Sequence, residues 1–173
     1  EEIESEKNSY VAGSDDSRVK IIAFIDYRCG FCKKALNEIS SLLITDDEVR
    51  LIIKEFPILG EESILISKAS ITLLMDEGPL AYAKFTQAII KEVGLISVNR
   101  IKEIISKNGG NIKDLELRME KEIVYSVINS NYALANSLKI TGTPTFIIGT
   151  EIIRGYKSLT ELQKIIERNK KPL

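Results

Sequence analysis

The sequence predicts an α/β fold that carries a large helical insertion. Three observations support this prediction: a strand–helix–strand pattern over 18–57, an almost continuous helical pattern over 61–140, and a hairpin followed by a helix over 145–168. A helix between two buried strands is typical of a parallel pair joined by a crossover. We therefore expect a mixed sheet interrupted by a helical segment.

The first half of the sheet is predicted from two apolar runs. "RVKIIAFID" (18–26) is too continuous for a half-exposed strand and indicates one buried on both faces. After Cys32 the apolar residues fall at helical spacing, and the polar stretch 45–48 ends that helix. "VRLIIKEFP" (49–57) is again strand-like and is closed by Pro57. The charges in this run, Lys54 and Glu55, could face the cysteines, but the favoured interpretation is that they are strand-end charges.

The remaining elements follow from the spacing of glycine, proline and apolar residues. The helical pattern over 61–140 is broken at Gly78-Pro79, at Gly94 and at Gly109-Gly110, and it is longer than one crossover helix needs. Residues 145–149 and 151–155 flank Gly149-Thr150 and predict an antiparallel hairpin. Residues 159–168 predict a closing helix, and the polar residues 1–17 an N-terminal arm or linker.

The composition excludes several classes of function. The net charge of −1 balances 24 basic against 25 acidic residues, and no basic, aromatic-rich block suggests nucleic-acid binding. Charges or small polar residues interrupt every apolar run before it reaches the length of a membrane span. The chain begins with Glu1, so the absence of a visible signal peptide is not taken as evidence for the cytosol.

Both cysteines of the chain, Cys29 and Cys32, lie in "CGFC" at the start of the first predicted helix. A structural zinc site needs about four ligands, and the chain has no histidine to complete one, so no metal site is expected. A purely structural disulfide is also disfavoured, because closing so short a loop constrains the unfolded chain little. The third interpretation is a redox centre.

The position of the pair favours the redox interpretation. Unpaired N–H groups and the helix dipole at the first turn stabilise a thiolate, which makes Cys29 the candidate nucleophile. Cys32, one turn inside the helix, is placed to attack a mixed disulfide on Cys29 and to release the substrate. The spacer residues Gly30 and Phe31 carry no charge or proton donor, whereas Arg28 and its basic neighbours add positive charge.

A second motif, "TGTPTF" (141–146), places Pro144 at the mouth of a predicted strand. An ordinary trans proline in a turn is the alternative, since only about 5–6% of X–Pro bonds in folded proteins are cis. A cis bond would turn Thr143 outward, where its backbone could pair with an incoming extended peptide. We favour the cis form.

Taken together, these motifs resemble the thioredoxin fold of the DsbA superfamily over residues 18–169. "FIDYRCGFCKKA", "RLIIKEFPILG" and "ITGTPTFIIG" are most similar to the ScsC and Com1-like branch of exported thiol–disulfide oxidoreductases. The resemblance implies a thioredoxin-like domain formed by 18–60 and 141–173 and an inserted helical domain over 61–140. It also implies an exposed nucleophile at Cys29, a buried partner at Cys32 and a cis-proline loop at Thr143-Pro144.

The resemblance further implies a periplasmic or other extracytoplasmic location and no cofactor beyond the redox-active Cys29–Cys32 disulfide. The expected partners are cysteine-containing substrate proteins and a redox partner protein that resets the pair, with no nucleic acid. Homo-oligomerisation through the N-terminal arm or residues upstream of it is also considered. The buried carboxylate of many relatives falls at Ala23, and its proton-relay role is not transferred to Asp26.

The finer function is open between several alternatives. Gly-Phe between the cysteines and threonine before the proline resemble disulfide isomerases, so a disulfide isomerase or reductase is favoured over a DsbA-type dithiol oxidase. A non-catalytic peptide-binding chaperone would need no reactive thiol. A glutathione-using transferase is the weakest alternative, because no dedicated second-domain site is visible.

Overall fold

The computed structural model describes residues 6–170, so residues 1–5 of the predicted arm and residues 171–173 lie outside it. A five-stranded mixed sheet is covered by helices on both faces. The elements, in chain order, are β1 (Tyr10–Gly13), β2 (Val19–Ile25), α1 (Gly30–Thr45), β3 (Val49–Glu55), α2 (Glu61–Glu77), α3 (Pro79–Ile89), α4 (Val98–Lys107), α5 (Leu115–Met119), α6 (Glu122–Ser137), β4 (Thr145–Ile148), β5 (Glu151–Arg154) and α7 (Leu159–Asn169).

The strand order is β1-β3-β2-β4-β5. β2 and β3 run parallel, in register from Val19 opposite Val49 to Ile25 opposite Glu55, and α1 connects them. The other three strand pairs are antiparallel. The predicted strand–helix–strand unit is therefore confirmed, and the predicted hairpin is confirmed as β4 and β5 with Gly149 and Thr150 between them.

The central strand β2 is buried on both faces, as its continuous apolar run predicts. Ile21, Ala23 and Ile25 join the large apolar cluster under α1, whereas Ile22 and Phe24 join the cluster under α6. This split follows from the alternation of side chains along a strand. Because β2 is central, Asp26, which follows it, and the turn before α1 both lie at the edge of a well-packed core.

The predicted insertion forms α2 to α6, and its first four helices pack into the same apolar cluster as the sheet. Ile66 of α2, Phe85 of α3 and Ile101 of α4 are buried in the cluster that also contains Ile21 and Cys32. The helical character of 61–140 is confirmed. Its description as a separate inserted domain, beside a thioredoxin-like domain of 18–60 and 141–173, stays a prediction.

The N-terminal arm differs from its prediction, because residues 10–13 form the edge strand β1 against β3. The Tyr10 ring stacks on the Tyr82 ring with centroids 4.4 Å apart, which fixes the start of the strand. Gly13 ends it with φ +100°, and a Cβ there would lie 2.3 Å from the Val49 carbonyl oxygen. Both contacts join residues far apart in sequence, so local composition did not reveal them.

Within residues 6–170, no helix combines the length and the apolar character that crossing a membrane requires.

Candidate active site

The two cysteines lie at the start of α1, where the chain turns after β2. Cys29 is the N-cap residue, and its backbone N–H donates to the Asp26 carbonyl at 3.1 Å. The backbone N–H of Cys32 donates to the Cys29 sulfur at 3.4 Å. The predicted position of the pair at a helix start is confirmed. A sulfur at an N-cap that accepts a backbone N–H is in an environment that stabilises negative charge.

The two sulfurs differ sharply in exposure. Cys29 is partly exposed, whereas Cys32 is completely buried among the core residues of α1. Burial raises the pKa of the Cys32 thiol well above its ordinary value, although hydrogen bonds from the Asp26 backbone and the Thr143 side chain act in the opposite direction. Cys32 is therefore a protonated thiol at neutral pH, and Cys29 is the sulfur that another molecule can reach.

Thr143 and Pro144 lie directly against the pair. The Cys29 thiol donates to the Thr143 carbonyl at 3.4 Å, and the Thr143–Pro144 peptide bond is cis. The Pro144 carbonyl accepts the Gly155 N–H at 2.8 Å, which ties this loop to the end of β5. The structure thus brings together Cys29, Cys32, Thr143 and Pro144, and the roles assigned to them stay predictions.

The spacer residues face outward. A Cβ on Gly30 would meet no atom within 4 Å, and 64% of the Phe31 side chain is exposed. The Phe31 ring lies 6.2 Å from the Tyr156 ring between centroids. Neither spacer residue offers a side-chain hydrogen-bond donor to Cys29, so the helix terminus and the Thr143 loop supply its polar contacts.

Sequence reasoning missed the structural importance of Asp26, which is completely buried beneath the cysteine turn. Its Oδ1 accepts the Arg28 N–H and the Ser63 hydroxyl, both at 2.8 Å. Its Oδ2 accepts the N–H groups of Ile58 and Leu59 at 2.8 and 3.0 Å. One carboxylate therefore joins the cysteine turn, the segment after β3 and the first turn of α2. The signal available in the sequence was an acid directly after a buried strand and three residues before Cys29.

Lys54 and Glu55 are the last two residues of β3, in agreement with their interpretation as strand-end charges, but only 5% and 3% of these residues are exposed, so both charges are buried. Glu55 Oε1 accepts the hydroxyls of Tyr27 at 3.0 Å and Tyr82 at 2.6 Å, and Oε2 accepts the Ser67 hydroxyl at 2.6 Å. Burial raises the pKa of Glu55 to about 7, with nearby Asp26 acting in the same direction and the three hydroxyls opposing it.

Lys54 points to the opposite face of the sheet from Glu55, as alternation along the strand requires. Its Nζ donates to the Ser9 hydroxyl at 3.1 Å, and burial lowers its pKa. The helices that cover the two charges come from the distant segment 61–137, so inspection of the strand alone does not reveal that they are buried.

The basic residues around the cysteines are held by neighbours from the helical segment and from the loop between β5 and α7. Arg28 Nε lies 3.0 Å from Glu62 Oε2, and Lys33 Nζ donates to the Glu92 carbonyl at 2.9 Å. Lys34 Nζ lies 4.5 Å from the centroid of the Tyr156 ring. Burial and the charge of Arg28 lower the pKa of Lys33. These contacts fix the charges around Cys29 in defined positions.

Metal ligands do not cluster at the site. Across the described range 6–170, no group of three or more His, Cys, Asp or Glu side chains is arranged to hold a metal ion. The chemistry that the geometry provides is that of two unequal sulfurs, and a cofactor-free reaction stays a prediction.

Solved structures share this arrangement of elements. A thioredoxin-like oxidoreductase from Silicibacter pomeroyi DSS-3 is 29% identical, with a TM-score of 0.88 over 96% of this chain and 95% of its own. The thiol–disulfide exchange protein α-DsbA2 from Wolbachia pipientis is 27% identical, with a TM-score of 0.88 over 96% and 89%. The catalytic domain of Proteus mirabilis ScsC is 21% identical and shares the fold, with a TM-score of 0.87 over 97% and 92%.

Sequence comparisons agree with the structural ones. The family model described as thioredoxin matches residues 5–168, which is nearly the whole chain. The curated protein "Disulfide bond formation protein D" from Bacillus subtilis (strain 168) is 24% identical over 95% of this chain and 78% of its own length. The resemblance noted from the motifs is thereby confirmed. The chain belongs to the thioredoxin family and is a thiol–disulfide oxidoreductase of the DsbA superfamily.

Proposed function

We propose that this protein is a disulfide isomerase or reductase that acts on protein disulfides through Cys29 and Cys32. The observation that carries the proposal is the asymmetry of the pair: Cys29 is partly exposed at a helix N-cap beside Thr143, and Cys32 is buried behind it with a raised thiol pKa. A reachable sulfur in an anion-stabilising position is a nucleophile, and a protected second thiol is a resolving group.

The reaction starts when the Cys29 thiolate attacks one sulfur of a substrate disulfide. A bond forms between Cys29 and that sulfur, the substrate S–S bond breaks, and the other substrate sulfur leaves as a thiolate. In isomerisation this freed thiolate attacks another disulfide of the substrate and displaces a second substrate thiolate, which attacks the mixed disulfide and releases Cys29 as a thiolate. In reduction Cys32 loses its proton and attacks the Cys29 sulfur, which leaves a Cys29–Cys32 disulfide and a reduced substrate.

The spacer between the cysteines supports the isomerase side of this proposal. Gly30 and Phe31 place no donor or positive charge next to Cys29, so its thiolate lacks the extra stabilisation that makes a dithiol pair strongly oxidising. A pair that is less oxidising stays reduced and attacks incorrect disulfides. Threonine at position 143, before the cis proline, also matches the isomerases in the resemblance given above.

The second candidate is a dithiol oxidase that introduces disulfides. The name of the Bacillus subtilis relative, "Disulfide bond formation protein D", favours this alternative. In that case the Cys29–Cys32 disulfide is the starting state, and substrate thiols attack Cys29. The reduction potential of the pair decides between the two directions, because a difference of about 30 mV changes the two-electron equilibrium constant tenfold.

The proposal includes cysteine-containing substrate proteins, a redox partner protein that resets the pair, and no cofactor or nucleic acid. An extracytoplasmic location is proposed with it, because disulfides persist in oxidising compartments and the name of the curated relative refers to disulfide formation. Assembly of several chains through the N-terminal arm or residues upstream of it would let two active sites act on one substrate.

The test compares two reactions of the same preparation: reactivation of a scrambled-disulfide protein and oxidation of a reduced dithiol peptide. The isomerase proposal requires reactivation with little peptide oxidation, whereas rapid peptide oxidation without reactivation establishes the oxidase. Cys29→Ser is the control for both. A protein whose Cys29→Ser variant retains its full effect on the substrate acts as a peptide-binding chaperone instead.

A further inference from the structure

Two cations flank the nucleophilic cysteine along the chain, and they are held in different ways. Arg28 directly precedes Cys29, and its Nε lies 3.0 Å from Glu62 Oε2. Lys33, about one helical turn after Cys29, donates to the Glu92 backbone carbonyl at 2.9 Å. A carboxylate therefore faces the charge of Arg28, whereas the acceptor of Lys33 carries no net charge. The pairing of Arg28 is thus a contact that can alter the charge beside the sulfur.

The Glu62 carboxylate is held in place independently of Arg28. Glu62 lies in the first turn of α2, where the helix dipole favours an acid, and its Oε2 also accepts the Ile96 N–H at 3.3 Å. The neighbouring Ser63 hydroxyl donates to the buried Asp26 carboxylate at 2.8 Å, which ties this turn of α2 to the cysteine turn. The carboxylate is therefore the anchored partner of the pair, and the guanidinium is the mobile one.

The pair lies where its charge matters for the reaction. Consecutive Cα atoms are about 3.8 Å apart, so the long Arg28 side chain can reach the Cys29 sulfur once it is released from Glu62. Only 26% of the Arg28 side chain and 28% of the Glu62 side chain are exposed, so solvent screens the pair only in part. Burial and the charge of Arg28 lower the pKa of Lys33. The field of Arg28 therefore extends across the cysteine turn.

The remaining charged groups near the nucleophile have other partners. The Glu92 carboxylate accepts Arg100 Nη2 at 2.8 Å, and Lys34 Nζ lies 4.5 Å from the centroid of the Tyr156 ring. Arg28 therefore combines a position next to the nucleophile with a partner that a single substitution removes.

We propose that Glu62 is a positioning residue that holds the Arg28 guanidinium against α2 and away from the Cys29 sulfur. The thiolate is thereby kept from a positive charge that the sequence places next to it, and the Cys29–Cys32 pair is less oxidising than it would be with Arg28 released. The inference goes beyond the proposed function, because it concerns the poise of the pair and applies to either direction of exchange.

The charge at Cys29 acts on the equilibrium between the two states of the pair. Two molecules of reduced glutathione convert the Cys29–Cys32 disulfide into two thiols, and glutathione disulfide carries away the two electrons that the glutathione thiols lose. A positive charge that stabilises the Cys29 thiolate draws this equilibrium toward the reduced pair. The disulfide form then becomes the stronger oxidant of substrate thiols.

The test measures this equilibrium for the full chain in buffers of reduced and oxidised glutathione. Glu62→Ala should shift the equilibrium constant about threefold toward the reduced pair, which corresponds to about 14 mV. The midpoint of the pH dependence of Cys29 alkylation should fall at the same time, because the reagent reacts with the thiolate. Glu61→Ala is the matched control, since it removes an exposed acid from the same turn of α2 and should leave both quantities unchanged.

Arg28→Gln tests whether the effect passes through the guanidinium. Alone it should change the equilibrium constant little, because Arg28 is already held away from the sulfur, and Glu62→Ala added to it should cause no further shift. This result supports the positioning role, and a shift of about threefold that persists in the Arg28→Gln background overturns it, since Glu62 then acts on the sulfur directly.

A Glu62→Ala variant that behaves like Glu61→Ala also overturns the inference. If Glu62→Ala does not fold, Arg28→Gln alone decides. An unchanged equilibrium constant supports the inference, whereas a shift of about threefold toward the oxidised pair shows that Arg28 already stabilises the thiolate and overturns it. The proposed function is tested separately by reactivation and peptide oxidation, so its failure is distinguishable from failure of the role of Glu62.

Discussion

The carboxylate of Asp26 is the group whose removal should most disturb the cysteine turn. It accepts hydrogen bonds from Arg28, Ile58, Leu59 and Ser63, and no part of it is exposed. Replacing Asp26 by alanine leaves these four donors without their acceptor. An unsatisfied buried donor costs at least about 1 kcal/mol, so we expect Asp26→Ala to lower the free energy of unfolding by about 4 kcal/mol.

Asparagine at the same position gives a sharper test, because it keeps the shape of the side chain. Its oxygen can still accept the N–H groups of Ile58 and Leu59, and its amide N–H can donate to the Ser63 hydroxyl. The Arg28 N–H then faces another donor, and the negative charge that strengthened all four bonds is lost. We therefore expect Asp26→Asn to lose about half as much stability as Asp26→Ala, or about 2 kcal/mol.

The assay is urea unfolding of the reduced protein at neutral pH, with Asp47→Asn as the control. Asp47 is exposed, and its substitution should leave the unfolding midpoint unchanged. Alkylation of the buried Cys32 is measured in parallel, since a loosened turn should let the reagent reach it more often. If Asp26→Asn unfolds at the same urea concentration as Asp47→Asn, the four hydrogen bonds do not support the turn, and the reasoning is refuted.

Three further predictions concern the core and the reaction. Because burial holds the pKa of Glu55 at about 7 against an ordinary 4.5, the folded state binds the proton more tightly, and stability falls as pH rises from about 4.5 to about 7. Over this pH range the protein should lose about 3 kcal/mol of unfolding free energy that the Glu55→Gln variant does not lose. If urea unfolding gives the same pH dependence of stability for both proteins, this prediction is wrong. Gly13→Ala should lower the free energy of unfolding by about 2 kcal/mol, because the positive φ of Gly13 is strained for alanine and the added Cβ would meet the Val49 carbonyl. Gly142→Ala is the control, since a Cβ there meets no atom within 4 Å. Equal urea-unfolding midpoints for the two variants would refute this prediction. Cys32→Ser should accumulate a mixed disulfide on Cys29, visible by non-reducing electrophoresis, and rapid clearance of that adduct would show that Cys32 is not the resolving thiol.

The parts of the fold that the sequence predicts correctly are those that depend on local pattern. The apolar runs around Ile21 and Ile52 define β2 and β3, and the helical spacing after Cys32 defines α1. The position of Cys29 at a helix start is predicted for the same reason, because a strand, a turn and a helix in succession determine it. The hairpin was predicted with each strand one residue too long at its end, and Gly149 provides the positive φ that its turn uses.

The parts that were missed depend on contacts between distant segments. β1 exists because Tyr10 meets Tyr82 and because the edge of β3 is free to accept a strand. Glu55 ends an apolar strand, and it is buried because α2 and α3 bring Ser67 and Tyr82 over it. No local pattern contains this information, although a charged residue inside an apolar strand is a reason to look for a buried partner.

The two buried acids explain how the helical segment supports the reaction site. β2 and β3 are parallel, so Asp26, which follows β2, and Glu55, which ends β3, meet at the same edge of the sheet, beneath the cysteine turn. α2 presents Ser63 to Asp26 and Ser67 to Glu55, at the four-residue spacing that puts two side chains on one face of a helix. A shift of α2 would break both contacts together. The first helix after β3 is therefore part of the support of the active site, and the cysteine turn depends on a segment that contributes no reactive group.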